Sequence, residues 1–238
     1  MSKTINKPKP TGEYAVGVFS FTVKNDREET MYNAVGTMRS IPVKVYYPAA
    51  KESVKGLPKA RYMSKATIDA IRKNFLVPLN YEKVENDGTN RSECYENAPF
   101  AEGERFPLIL FSHGAGSFME AHTFLYTELA SHGYMVATIG HPYDGMITEL
   151  DDGTAYKLPK GFRSKAYSPL LPGAVALLKL QKAKGSNEEL WERFDAIQKK
   201  YNRFLMERIK EWELDTKAAL KYLKDNYSGI IDFEKGVG

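Results

Sequence analysis

The stretch FPLILFSHGAGSF, residues 106–118, constrains the fold more than any other part of the chain. Its apolar run PLILF (107–111) is continuous rather than alternating, the signature of a strand buried on both faces in a parallel sheet. It ends in a glycine turn, S-H-G-A-G, and FMEAHTFLYTELASHG follows, with apolar residues at Phe118, Phe124, Leu125 and Leu129 and a stop at Gly133. That pattern predicts an amphipathic helix. YMVATIG (134–140) is a second buried strand. Strand, helix and strand in such a short span form a βαβ unit, so the fold class is α/β with a parallel sheet.

The flanking segments fill in the architecture. EYAVGVFSFTV (13–23) and IPVKVYYP (41–48) are rich in β-branched and aromatic residues and read as antiparallel neighbours joined through the turn-prone KNDREETMYNAVG. SKATIDAIRKNF (64–75) has a helical period behind a Ser N-cap. Residues 83–105 are polar and read as a surface excursion, and 141–170 as a loop leaving the sheet. A helical region follows: LLPGAVALLKLQKA, then KGSN, then a long stripe through Leu190, Phe194, Ile197, Tyr201, Leu205, Ile209, Trp212, Ala219, Leu220 and Leu223. The stripe predicts packing against a core. IIDFEKGVG reads as a turn into a further strand. Residues 1–11 are expected to be a tail, and 12–238 one domain with a single core.

A net charge of +4 is spread along the chain apart from the N-terminal SKTINKPKP, with no Lys/Arg stripe on one element, so a nucleic-acid partner is not expected. The basic balance leaves room for weak contact with an anionic membrane surface. The single cysteine, Cys94, permits no internal disulfide and lies in the polar 83–105 stretch, where a structural role outweighs a nucleophilic one. No signal-peptide core and no membrane-length apolar window are seen, so a cytoplasmic protein is expected.

A glycine turn between a buried strand and a helix lets the backbone crowd a ligand and points its amides at it, where the helix dipole also favours negative charge. Two readings stand: half of an oxyanion hole, favoured by the βαβ context, or a tight turn with no ligand. An oxyanion hole needs a nucleophile, but the 238 residues contain no G-x-S-x-G. Ser117 lies inside the turn itself and is a poor candidate. The four histidines, His113, His122, His132 and His141, do not occupy the base position of that catalytic order, and their spacings fit no compact metal motif. No cofactor and no metal are expected.

FPLILFSHGAGSF together with ELASHGYMVATIGHPYDG resembles the platelet-activating factor acetylhydrolase family, plasma type. GEYAVGVFSFTV with IPVKVYYPA resembles that family's opening strands, and ERIKEWELDTKAALKYL the long helix before its nucleophile strand. The resemblance implies an α/β-hydrolase fold and a metal-free serine esterase that removes short sn-2 acyl groups from phospholipids. It implies that the backbone amide of Ala115 is an oxyanion donor, with His113, Gly114 and Gly116 shaping the loop. In the family a strand like the one beginning at EKGVG continues into G-H-S-x-G-G, with the acid and base later. The expectation is therefore an incomplete α/β-hydrolase domain that ends just before the nucleophile elbow, by truncation, frameshift or split, and is inactive alone, with a complementing C-terminal portion as a partner in the split case. A non-catalytic lipid- or partner-binding protein, and an α/β-hydrolase of other specificity such as a carboxylesterase or dienelactone hydrolase, stay open beside it.

Overall fold

A computed structural model of the chain describes residues 7–29, 36–235 and 238. The tail residues 1–6, the middle of the expected turn at 30–35, and residues 236–237 of the final segment lie outside that description. The chain divides into two compact units, Met1–Lys157 with Asp215–Gly238, and Leu158–Leu214.

In the first unit the order is β1 (Ala15–Glu28), β2 (Met38–Ala49), β3 (Lys59–Arg61), α1 (Lys65–Phe75), α2 (Tyr81–Asn86), β4 (Arg91–Glu96), β5 (Leu108–Ser112), a 3-10 turn (Met119–His122), α3 (Thr123–Ser131), β6 (Met135–Ile139), then the hairpin β7 (Ile147–Glu149) and β8 (Ala155–Lys157). A six-stranded sheet runs β3-β4-β1-β2-β6-β5. β1 and β2 are antiparallel, with Phe19 opposite Val45, and β5 and β6 are parallel, as the βαβ pattern requires. The class is an α/β-hydrolase-like mixed sheet flanked by helices.

The final segment extends this sheet. Phe106 forms a parallel bridge with Ile231, and Leu110 N–H reaches the carbonyl of Gly238 at 2.8 Å. Ile231 and Gly238 therefore lie beside Phe106 and β5, at the edge where a further strand is expected. β5 is less enclosed than its apolar run predicts: Leu108 is buried, Ile109 to Phe111 are half-buried and Ser112 is exposed.

Helices cover both faces because β2 alternates. Val43, Val45 and Tyr47 face a cluster with Ala219 and Leu223 of α7 (Arg203–Tyr227), whose residues from Asp215 onward belong to this unit. Tyr46 faces the other way, onto Tyr126 and Ala130 of α3. Phe21 stacks on Tyr222 at 4.5 Å and Phe19 on Tyr227 at 5.1 Å, sealing the α7 side with aromatic area.

Several expectations change. Residues 83–105 are not a surface excursion, since β4 runs through them and buries Ser92 and Cys94. The loop 141–170 contains β7, β8 and a short helix, α4 (Phe162–Tyr167). The helix after the glycine turn starts with a 3-10 turn, and its buried face is Thr123, Tyr126, Thr127, Ala130 and Ser131 rather than the predicted Phe124 and Leu125, which are exposed. Helix α1 keeps its expected bounds, with the Ser64 side chain accepting from Thr67 N–H.

The second unit comprises α4, α5 (Leu170–Gln181), α6 (Asn187–Tyr201) and the first residues of α7. A capping box of Ser186 and Glu189 starts α6. Phe162 meets Phe204 edge-on at 5.4 Å. Among the described residues no helix is long and apolar enough to cross a membrane.

Candidate functional site

The glycine turn leaves the end of β5 and is held at several points. Gly116 has φ +74°, a left-handed conformation that costs a residue with a Cβ and is free to glycine. Its N–H donates to the carbonyl of Asp144 at 2.7 Å, and Met146 N–H donates to the carbonyl of Ser117 at 2.7 Å. Ser117 N–H closes the turn onto the carbonyl of Gly114 at 2.9 Å. Two backbone bonds thus stitch the turn to the loop after β6. Gly114 is exposed, and Ala115, half-buried, occupies the corner between the two glycines.

His113 is buried directly beneath the turn. Its Nδ1 lies 2.9 Å from the carbonyl of Gly114, which can only accept, so Nδ1 carries the proton. Nε2 is then the acceptor for His141 N–H at 3.4 Å. Burial, with the neighbouring His141 ring adding to it, lowers the His113 pKa to about 4, so the ring is neutral near pH 7 and keeps this tautomer.

Behind the turn lies a buried ionic cluster that sequence patterning did not anticipate. Asp215 is fully buried and accepts from Arg39 twice, Nε at 2.7 Å and Nη2 at 2.8 Å. Arg27 also donates to it. Arg39 is paired in addition with Glu29, and lies 3.8 Å from Asp144. His141 Nδ1 lies 2.8 Å from the remaining face of Asp215, and its Nε2 lies 3.0 Å from Ser112 Oγ. The carboxylate fixes the proton on Nδ1, so the Ser112 hydroxyl donates to Nε2. Serine, histidine and aspartate therefore stand in relay order at hydrogen-bond distances. Burial lowers the His141 pKa and Arg39 lowers it further, while Asp215 acts against them. The Asp215 pKa lies below the usual carboxylate range because Arg39 and His141 bond its charged form, outweighing burial, which pushes the other way.

The elements explain why these groups meet. Arg39 shares the α7-facing side of β2 with Ile41 and Val43 by period-two alternation. Asp215, Ala219 and Leu223 are spaced by four on α7, so Asp215 continues the stripe whose next members are core. His141 follows β6 and Ser112 ends β5, and these strands are parallel neighbours with Ser112 opposite Ile139. An acidic residue filling a gap in an apolar helical stripe was the one available sequence signal for Asp215.

The other candidates separate from this site. His122 sits in the 3-10 turn against Phe111, and His132 pairs with Glu128 on the surface. Cys94 is buried in β4 and burial pushes its thiol up to about 11, which suits a packing residue. A cleft of about 350 Å³ opens elsewhere, beside Met119. Its Lys44 is paired with Glu120 at 3.3 Å, its Glu149 accepts from Ser64 and its Asp151 from Thr22. Among the described residues, no three His, Cys, Asp or Glu side chains gather where they could hold a metal ion.

Comparison with known proteins gives concordant matches. A family profile described as "Platelet-activating factor acetylhydrolase, isoform II" matches residues 1–152. The platelet-activating factor acetylhydrolase of Cavia porcellus is 30% identical over 140 residues, covering 56% of this chain and 28% of that protein. That of Canis lupus familiaris is 28% identical over 202 residues, covering 81% of this chain and 38% of that protein. The chain thus spans well under half the length of these curated relatives. Among solved structures, a ferulic acid esterase from Streptomyces cinnamoneus matches with a TM-score of 0.51 at 22% identity, covering 75% of this chain and 49% of that one, a likeness of fold.

Proposed function

Because the chain belongs to the platelet-activating factor acetylhydrolase family, we propose that it carries the oxyanion side of a serine ester hydrolase acting on short sn-2 acyl groups of phospholipids. The observation behind this reading is the clamped glycine turn, with Gly116 bonded to Asp144 and Met146 bonded to Ser117. An oxyanion donor is effective when it is pre-positioned and need not reorganise as charge develops on the carbonyl oxygen. The Ala115 amide is the donor, and His113 and the two glycines hold its orientation. The buried cluster of Arg39, Asp215 and His141 supports the loop from which Asp144 reaches the turn.

No G-x-S-x-G occurs in these 238 residues, so the nucleophile elbow, its acid and its base come from a complementing portion, and this chain alone hydrolyses no ester beyond background. Two measurements test this. Acetate, which presents an anionic oxygen like that of the reaction, should shift the Ala115 amide resonance in ¹⁵N spectra, and purified chain should leave p-nitrophenyl acetate unhydrolysed. An Ala115 resonance indifferent to acetate would sink the donor assignment.

A second reading is favoured by one observation, the relay of Ser112, His141 and Asp215 at 3.0 and 2.8 Å. In it Ser112 Oγ attacks the acyl carbonyl, its proton passes to His141 Nε2, and His141 returns that proton to the departing alkoxide. Arg39 weighs against it: by holding both carboxylate oxygens of Asp215, it neutralises the charge that would stabilise the imidazolium. Ester turnover well above buffer that disappears in Ser112→Ala would favour this second reading over the first.

A further inference from the structure

We infer that the outward face of α5, in the unit Leu158–Leu214, is a docking surface for an anionic phospholipid bilayer. Helix α5 is apolar on both sides. Its inner side carries Gly173, where an added Cβ would lie 3.1 Å from Tyr201 of α6, so the two helices approach closely there. Ala176, Leu177 and Leu180 share that half-buried side. The opposite side carries Leu170, Leu171, Ala174, Val175 and Leu178, at the one- and four-residue spacings of a single helical face, all of them exposed. Leu171 is 76% exposed and Leu178 58%. Scattered exposed leucines need no explanation, but a contiguous apolar face on one helix does.

Charge identifies the occupant. From Leu158 to Asn187 there are six basic residues, Lys160, Arg163, Lys165, Lys179, Lys182 and Lys184, and no acidic one. All six are exposed. The unit as a whole holds twelve Lys/Arg against seven Asp/Glu, more than the entire +4 excess of the chain. Apolar residues along the face and lysines at the edge and just past its C-terminus match a surface helix that buries its apolar side at the acyl boundary while its cations meet anionic headgroups. Lysine stems reach from such a boundary into the headgroup layer without loss of solvation. A protein partner with a wholly apolar groove would leave the lysines without counter-charge, whereas an anionic bilayer satisfies both features at once.

The test uses the full chain and needs no ester turnover, so its outcome is separate from the hydrolase reading. Co-sedimentation is measured with vesicles of phosphatidylcholine alone and of phosphatidylcholine mixed with phosphatidylserine. The mixed vesicles should bind the chain more than tenfold better than the neutral ones, and added salt should weaken binding. Replacing Lys179, Lys182 and Lys184 with Gln should lower partition by roughly fivefold per lysine, on the order of 100-fold together. Leu171→Asp with Leu178→Asp should reduce binding to background while far-UV circular dichroism stays that of the parent. Equal binding to neutral and mixed vesicles, or full binding by the folded double variant, overturns the proposal. So does a self-associated chain that becomes monomeric in the double variant and binds no vesicles, since a second copy would then cover the face.

Discussion

Replacing Asp215 with Ala tests whether the buried cluster holds the glycine turn in place. The carboxylate accepts from Arg39 at 2.7 and 2.8 Å and from His141 at 2.8 Å, and both partners are fully buried. Truncation leaves the Arg39 guanidinium with Glu29 and the more distant Asp144, and takes the Asp215 acceptor from Arg27 and from His141 Nδ1–H. Removing one partner of a buried pair costs about 3–5 kcal/mol, because the other charge stays buried. With a urea m-value of about 3 kcal/mol/M, suited to a chain of this size, the midpoint should fall by about 1–1.7 M. Asp215→Asn keeps one acceptor without the charge and should lose about half as much. Urea unfolding followed by far-UV circular dichroism gives the midpoints. Hydrogen exchange supplies a local reading: the Gly116 and Met146 amides, bonded across to Asp144 and Ser117, should exchange faster in the Ala variant. A midpoint shift below about 0.3 M for Asp215→Ala, against the penalty expected for breaking a buried pair, would refute the reasoning.

Two further outcomes follow from the same geometry. The His113 pKa is depressed to about 4 from an ordinary 6.5, so between those values the unfolded chain binds more protons than the folded one. Stability should be full above about pH 6.5 and fall as pH drops toward about 4, and Asp215, also depressed, adds a loss of the same sign at lower pH; urea midpoints across this range check it, and His113→Gln should flatten the upper part. Gly116→Ala places a Cβ at φ +74° and should destabilise by about 1–2 kcal/mol, read as a lower melting temperature with sheet content retained.

How much could be read in advance differs from element to element. The βαβ unit was legible because continuous apolar runs and a glycine turn are local signals, and β5 and β6 pair parallel as those signals require. β4 was not, because it buries only Ser92 and Cys94 and turns Arg91, Glu93 and Glu96 outward or to its edges, a polar string with little hydrophobic contrast. The buried face of α3 escaped because around Tyr126 it is built from Thr123, Thr127, Ala130 and Ser131, small residues that pack closely against a sheet with little hydrophobic signal. Phe124 and Leu125, the stronger hydrophobic signal, face outward.

The site divides in the same way. The turn and its glycines were readable from four consecutive residues, since positive φ at Gly116 is a property of one backbone position. The cluster behind it joins residues 27, 29, 39, 112, 141, 144 and 215, drawn from β1, its C-terminal flank, β2, β5, the loop after β6 and α7. A lone charge in a core is costly, so sequence patterning assigns Asp215 and Arg39 to solvent by default. What reverses that assignment is sheet register, which puts Arg39 on the α7 side of β2, together with the packing of α7, which presents Asp215 to it. Each charge is tolerable in the core because the other is there, and only the tertiary structure brings the two together.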